Sequence, residues 1–323
     1  MRTSFFDLGG HSVLAVRMMA HIKKAFGRTL PLSALLGGGT IEAIADLLRG
    51  EGDIAWDSLV PIQTSGSRRP SFWVHAAGGN VLSYLPIAAH LGADFPMYGL
   101  QARGLEPGQE PGRDLVRMAA EYVAAVLRQQ PHGPYIIAGW SFGGMVALEM
   151  CRQLIAAGER VAELIMVDTG TNDASPRGMD PQDPVFLAGM ATFLSNGTLA
   201  GLRPDLIAEL PPTDRAGHVV EVMRQAGILP TGFEVADLHR TLAVYSACND
   251  AYRGYSPAGL PVKTTLIRAA ENPDPDPSLA WRASPEAPLR VIGAPGNHVS
   301  VMTPVHIAAF ADALGRVLTE ASA

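Results

Sequence analysis

The run Ala138-Gly139-Trp140-Ser141-Phe142-Gly143-Gly144 holds a serine in the pattern G-x-S-x-G. A serine hydroxyl is a weak nucleophile at neutral pH. It needs a base beside it, and donors for the oxyanion that its attack creates. A sharp turn from strand to helix lifts such a serine out of the backbone, and flanking glycines let neighbouring elements pack there without a Cβ. Here an apolar run, Tyr135-Ile136-Ile137, precedes Ser141, and a helix-forming run, Met145 to Met150, follows it. An incidental Gly-rich turn would lack that context.

A base and an acid are then required. His298 lies in Gly293-Ala294-Pro295-Gly296-Asn297-His298, a loop after the last apolar run. The chain order serine, acid, histidine fits a Ser-His-Asp triad on an α/β sheet. The other histidines fit less well: His21 and His306 fall on expected helices, and His90, His132, His218 and His239 fall outside strand-end loops. For the acid, Asp168 ends the apolar run Val161 to Val167, and residues at the carboxyl ends of adjacent parallel strands are within reach of one another. Glu271, Asp274 and Asp276 compete, because the more usual position for the acid follows the next strand. Asp168 could also serve only as a loop cap.

The oxyanion needs two N–H groups. One is expected from Phe142, the residue after the serine. The other is expected from the loop His75-Ala76-Ala77-Gly78-Gly79, with Ala77 the choice and its neighbours the alternatives. His75 is expected to support that loop rather than to do chemistry.

A second serine, Ser12, follows Phe5-Phe6-Asp7-Leu8-Gly9-Gly10-His11 at the start of a helical pattern. Its ordinary role there is an N-cap. A phosphodiester on it would also sit in the favourable field of the helix N-terminus.

The elements that must position these residues follow from composition and periodicity. The chain has 323 residues, 47% hydrophobic and 17% charged, enough for a sizeable core. Its formal net charge is −6 with no basic block, which argues against nucleic acid as a partner. No apolar run is long enough for a membrane span, and the N-terminus lacks an apolar signal core, so a cytoplasmic chain is expected. Cys151 and Cys248 show no metal-ligand spacing and are expected as buried free thiols; no metal site is expected.

Residues 12–26 and 41–48 read as amphipathic helices, the second with Thr40 as N-cap and Gly50 closing it. Leu59 to Ile62 reads as an edge strand carrying Pro61. From there apolar strands (72–75, 96–100, 135–138, 161–167, 263–267 and 289–292) alternate with helices (81–91, 115–129, 142–157 and 304–318). Short apolar strands separated by helices predict a mainly parallel sheet covered on both faces. Between about 170 and 258 the strands stop, and a helical lid is expected.

These residues resemble a known pairing. FFDLGGHSVLAV resembles the attachment motif of the peptidyl carrier domains of nonribosomal peptide synthetases, and His11 favours that type over polyketide carriers. HAAGGN, GWSFGG, LIMVD and GNH, spread from 75 to 298, resemble the terminal (type I) thioesterase domain of such synthetases. The resemblance implies an α/β-hydrolase with a mainly parallel sheet and a helical lid at about 170–258. It implies a partial carrier domain at 1–50, a linker at 51–58 and a thioesterase at 59–323. By the resemblance the carrier segment is expected to be truncated, since only a few residues from Met1 precede the DLGGHS loop, where these carriers usually have a helix. The family often places its acid after the strand that follows the elbow helix, which favours Asp168.

By the same resemblance Ser12 carries 4′-phosphopantetheine, placed by a phosphopantetheinyl transferase, and upstream synthetase modules are the partners. No condensation or adenylation domain is expected within these residues. The implied activity is release of a peptidyl or acyl thioester, by hydrolysis or macrocyclisation, through an acyl-serine. An editing thioesterase that clears misloaded carriers, a non-catalytic carrier and docking module, and a generic esterase are the alternatives.

Overall fold

A computed structural model describes residues 5, 18–19, 21–22, 24–28, 30, 34, 40–50, 56–171, 180, 182–195, 199, 201–229, 233–276, 278–303 and 305–323. Contacts divide the chain into two compact units, one of Asp57–Pro176 with Ala247–Ala323, the other of Met1–Trp56 with Arg177–Ser246.

The first unit is built on a seven-stranded sheet: β1 (Leu59–Gln63), β2 (Ser71–Val74), β3 (Met97–Leu100), β4 (Tyr135–Trp140), β5 (Val161–Val167), β6 (Thr264–Ala269) and β7 (Leu289–Ala294). The strand order is β1-β3-β2-β4-β5-β6-β7. β1 runs antiparallel to β3, and every other pairing is parallel. β2, β3 and β4 are buried along their whole length, as strands covered on both faces must be. β1 lies at the edge, where Pro61 costs no ladder bond that the sheet needs.

In the second unit Ile41–Arg49 forms the first complete helix described, α1, and Thr40 Oγ1 accepts the Ala43 N–H at 3.1 Å as its N-cap. The described residues between 18 and 26 are helical as well, and Ile22, Leu30 and Ile44 form a small buried cluster.

Three helices between β2 and β5 belong to the sheet: α2 (Leu85–Leu91), α3 (Leu115–Gln129) and α4 (Phe142–Ala156). The segment read as one helix from 81 begins as a separate 3-10 turn, Leu82–Tyr84, before α2 with its early Pro86. Between 170 and 258 no strand occurs among the described residues. That stretch holds α5 (Pro184–Leu194), α6 (Pro204–Ala208), α7 (Pro212–Gln225) and α8 (Val235–Arg253). Leu187, Ala191, Ile207, Val219, Met223 and Leu238 bury one another in a core of their own.

The final helix, α9, runs Ile307–Ser322 and starts later than the expected 304. The Thr303 carbonyl accepts both the His306 and Ile307 N–H groups, at 3.0 and 3.1 Å, so a turn fills the space before the helix. Cys151 and Cys248 are free and buried, and burial pushes both thiols up. Among the described residues no helix is long and apolar enough to cross a membrane.

Candidate active site

β4 ends at Trp140 and α4 begins at Phe142, so Ser141 alone makes the turn. Its backbone sits at φ 56° and ψ −122°. A non-glycine residue held there stores about 1–3 kcal/mol of strain, which the surroundings must offset. They do so with hydrogen bonds: the Ser141 N–H donates to the Val167 carbonyl at 2.9 Å, and the Ser141 carbonyl accepts the Gly144 N–H at 3.1 Å and the Thr169 hydroxyl at 2.9 Å. The flanking glycines follow from packing. A Cβ on Gly139 would lie 2.2 Å from the Gly143 backbone, and one on Gly143 would lie 2.4 Å from the Val74 carbonyl oxygen.

His298 follows β7 and is half-buried. Its Nε2 stands 2.9 Å from Ser141 Oγ, and its Nδ1 stands 2.7 Å from Asp168 Oδ2. With the proton on Nδ1, the imidazole donates to Asp168 and keeps an Nε2 lone pair for the serine hydroxyl. Trp140 Nε1 donates to the His298 carbonyl at 3.2 Å, and the two rings lie 5.9 Å apart. Asn297 Oδ1 accepts the N–H groups of Val299 and Ser300 at 3.1 and 2.9 Å, which shapes the loop on the other side.

Asp168 is buried at the end of β5. Burial alone would push its carboxyl up. Hydrogen bonds from His298, the Ala269 N–H and Asn272 outweigh that effect and hold it below the usual carboxylate range. The Ala269 N–H donates to Oδ1 at 3.0 Å. Asn272 Nδ2 stands 2.9 Å from Oδ1 and 3.0 Å from Oδ2.

The competing acids are engaged elsewhere. Asp274 Oδ1 accepts the Asp276 N–H at 2.9 Å. Asp276 Oδ1 accepts from the Ser278 hydroxyl and N–H, and Asp276 Oδ2 pairs with Arg282 at 2.9 Å. The Ser278 hydroxyl, the Ser278 N–H and Arg282 together pull the Asp276 carboxyl far below its usual range. Glu271 is exposed. Of the four candidates, Asp168 is the one brought to His298.

The loop after β2 packs against the start of α4. Gly143 approaches the carbonyls of Val74 and His75, and the Phe142 ring lies 5.9 Å from the His75 imidazole. The Gly79 N–H closes a turn on the Ala76 carbonyl at 2.9 Å, spanning Ala77. Among the described residues, neither the Ala77 nor the Phe142 N–H has an acceptor. His75 is fully buried, and burial lowers it to about 4, so it is neutral. Its Nδ1 meets the Ala76 carbonyl at 2.6 Å and its Nε2 meets the Tyr122 hydroxyl at 2.8 Å. A neutral ring satisfies both by donating from Nδ1 and accepting at Nε2. Ser12 lies outside the described residues.

Sequence reasoning did not single out Trp140 or Asn272 for a role. Trp140 occupies the variable position of G-x-S, and Asn272 lies in the run Asn272-Pro273-Asp274-Pro275-Asp276, whose residue types point only to turns.

Residues 69–314 match the thioesterase domain family, and residues 2–48 match the phosphopantetheine attachment site family. A dimodular nonribosomal peptide synthase of Bacillus subtilis (strain 168) is 39% identical over 224 residues, covering 69% of this chain and 9% of that protein's length. The crystal structure of a holo four-domain nonribosomal peptide synthetase, bound to AMP and glycine, aligns over 98% of this chain and 24% of that one, with a TM-score of 0.75 and 28% identity. The NocB thioesterase domain, in covalent complex with a fluorophosphonate nocardicin G analog, shares the fold over 78% of this chain and 96% of that one, with a TM-score of 0.58 and 24% identity. The family match takes in Ser141, Asp168 and His298 together with six of the seven strands. The chain belongs to the thioesterase domain family, preceded by a phosphopantetheine attachment segment as in nonribosomal peptide synthetases.

Proposed function

We propose that this chain is a serine thioesterase that releases a peptidyl or acyl group from a carrier-bound thioester. The observation that carries the reading is the unbroken relay from Ser141 Oγ through His298 to Asp168, at 2.9 and 2.7 Å. His298 Nε2 takes the Ser141 proton as Oγ bonds to the thioester carbonyl carbon. The carbonyl oxygen becomes an oxyanion, held by the Phe142 and Ala77 N–H groups. As the oxyanion collapses the carbon–sulfur bond breaks, and His298 returns the proton to the departing thiolate. An acyl-serine ester remains. Asp168 faces the imidazolium that forms transiently and keeps its Nδ1 proton in place. Water, or a nucleophile on the acyl chain itself, then attacks the ester with His298 as base, and Ser141 leaves with the proton from His298.

Ser12, in the FFDLGGHS run, would hold 4′-phosphopantetheine through a phosphodiester, supplying the thiol on which the acyl group arrives. Upstream modules of a longer synthetase would load it.

A biotinylated fluorophosphonate followed by intact mass measurement tests the nucleophile. One adduct on the wild-type chain and none on Ser141→Ala is the expected result. An adduct that survives in Ser141→Ala overturns the reading.

A further inference from the structure

We infer that Asn272 is a positioning residue for the candidate acid: its side-chain amide clamps both oxygens of Asp168 and keeps that carboxylate aimed at His298. The inference rests on the proposed roles of Ser141, His298 and Asp168.

The orientation of the amide follows from its other end. Asn272 Oδ1 accepts the Asp274 N–H at 3.0 Å, so the NH₂ group must face Asp168. There it lies 2.9 and 3.0 Å from the two carboxylate oxygens. The loop that holds it is tied down on three sides. The Asn272 N–H donates to the Ala269 carbonyl at 3.1 Å. Arg268 Nη2 donates to the Asn272 carbonyl at 3.0 Å and also to the Asp274 carbonyl. The Glu271 N–H donates to the Gly296 carbonyl at 2.9 Å, two residues before His298. The clamp and the base are thus parts of one hydrogen-bonded assembly.

The charged surroundings of Asp168 are few. From the loop after β7, His298 touches it. From β6, the Arg268 guanidinium is engaged by the carbonyls of Asn272 and Asp274. From the loop after β6, Glu271 is exposed and the Asp274 carboxylate is turned to the Asp276 N–H. From the turn between β4 and α4, Ser141 Oγ meets His298, and Thr169 fills the space beside Gly144. Asn272 therefore supplies a neutral donor where another acid would place a second negative charge.

The test is Asn272→Asp, which keeps the shape and the oxygen that accepts the Asp274 N–H but turns the donor into an acceptor. The readout is the second-order rate of Ser141 phosphonylation by a fluorophosphonate, on the full chain, from about pH 5 to about pH 9. We expect a rate near neutrality lower by about tenfold and an acid limb moved up by about one pH unit. A variant with the wild-type rate and limb overturns the inference. So does a slower variant with an unmoved limb, since that marks a structural role alone. Labelling that persists in Ser141→Ala would instead strike the underlying reading, so the two failures are distinguishable.

Discussion

Asp168 ends β5 and His298 follows β7, two strands away in the sheet, yet the carboxylate reaches the imidazole at 2.7 Å. The strand between them makes this possible. β6 ends at Ala269, whose N–H donates to Asp168 Oδ1 at 3.0 Å and supports the carboxylate as it crosses. The positive φ of Asp168, 46°, turns the chain out of β5 at the point where the side chain must swing sideways.

Asp168→Asn should therefore cost about 10³–10⁴ in turnover of an acyl-pantetheine thioester, because an amide no longer fixes the imidazole tautomer. Glu271→Gln and Asp274→Asn should leave turnover near wild type. The comparison is made by following thiol release.

Trp140→Phe keeps a ring beside His298 but removes the indole N–H that donates to the His298 carbonyl at 3.2 Å. The lost hydrogen bond is worth about 1 kcal/mol, so turnover should fall by about fivefold. Trp140→Leu, which also removes the ring, should fall further. Steady-state kinetics on the two variants separate the contributions.

How far the site was legible in the sequence depended on how local its causes are. Ser141 could be read because an apolar strand, glycines and a helix-forming run all lie within a few residues of it. Asp168 needed the strand pattern, and His298 needed the chain order as well. Asn272 could not be read. Its partner is 104 residues away, and in Asn272-Pro273-Asp274-Pro275-Asp276 every second residue looks like a turn former. That reading is correct as far as it goes, since Asn272 and Asp274 each accept the N–H two residues on. The second use of the Asn272 amide exists only through space. The strands were legible for the opposite reason, since burial on both faces writes itself directly into short apolar runs.

Gly143→Ala should disrupt folding rather than chemistry alone. Its Cβ would lie 2.4 Å from a carbonyl oxygen of β2, and neither backbone has room to retreat. Strain of about 3 kcal/mol corresponds to a melting temperature lower by roughly 10 °C. Differential scanning calorimetry checks it.

His75 gives a pH signature. Burial lowers it to about 4 in the folded chain, against an ordinary value of about 6.5, so between those values the unfolded chain binds a proton that the folded chain refuses. Its contribution is complete above about pH 6.5 and is lost as pH falls towards about 4, by about 3 kcal/mol in total. His75→Phe should flatten that part of the stability profile. Urea unfolding at about pH 7 and about pH 5 measures the difference.

Ser12 should accept one phosphopantetheine from coenzyme A when the chain is incubated with a phosphopantetheinyl transferase, and Ser12→Ala should accept none. Intact mass decides it. A wild-type chain that gains no mass removes the carrier role and leaves the thioesterase reading untouched.

The two residues on either side of Asp168 both grip the backbone of Ser141, Val167 through its carbonyl and Thr169 through its hydroxyl. The candidate nucleophile and the candidate acid are therefore not two independently placed groups. A displacement of the elbow would carry the end of β5 with it, because both backbone groups of Ser141 are held from that strand end. The histidine loop is fastened to the same elbow, since Trp140 Nε1, one residue before Ser141, donates to the His298 carbonyl, so a substitution that shifts the elbow would be felt by all three residues at once.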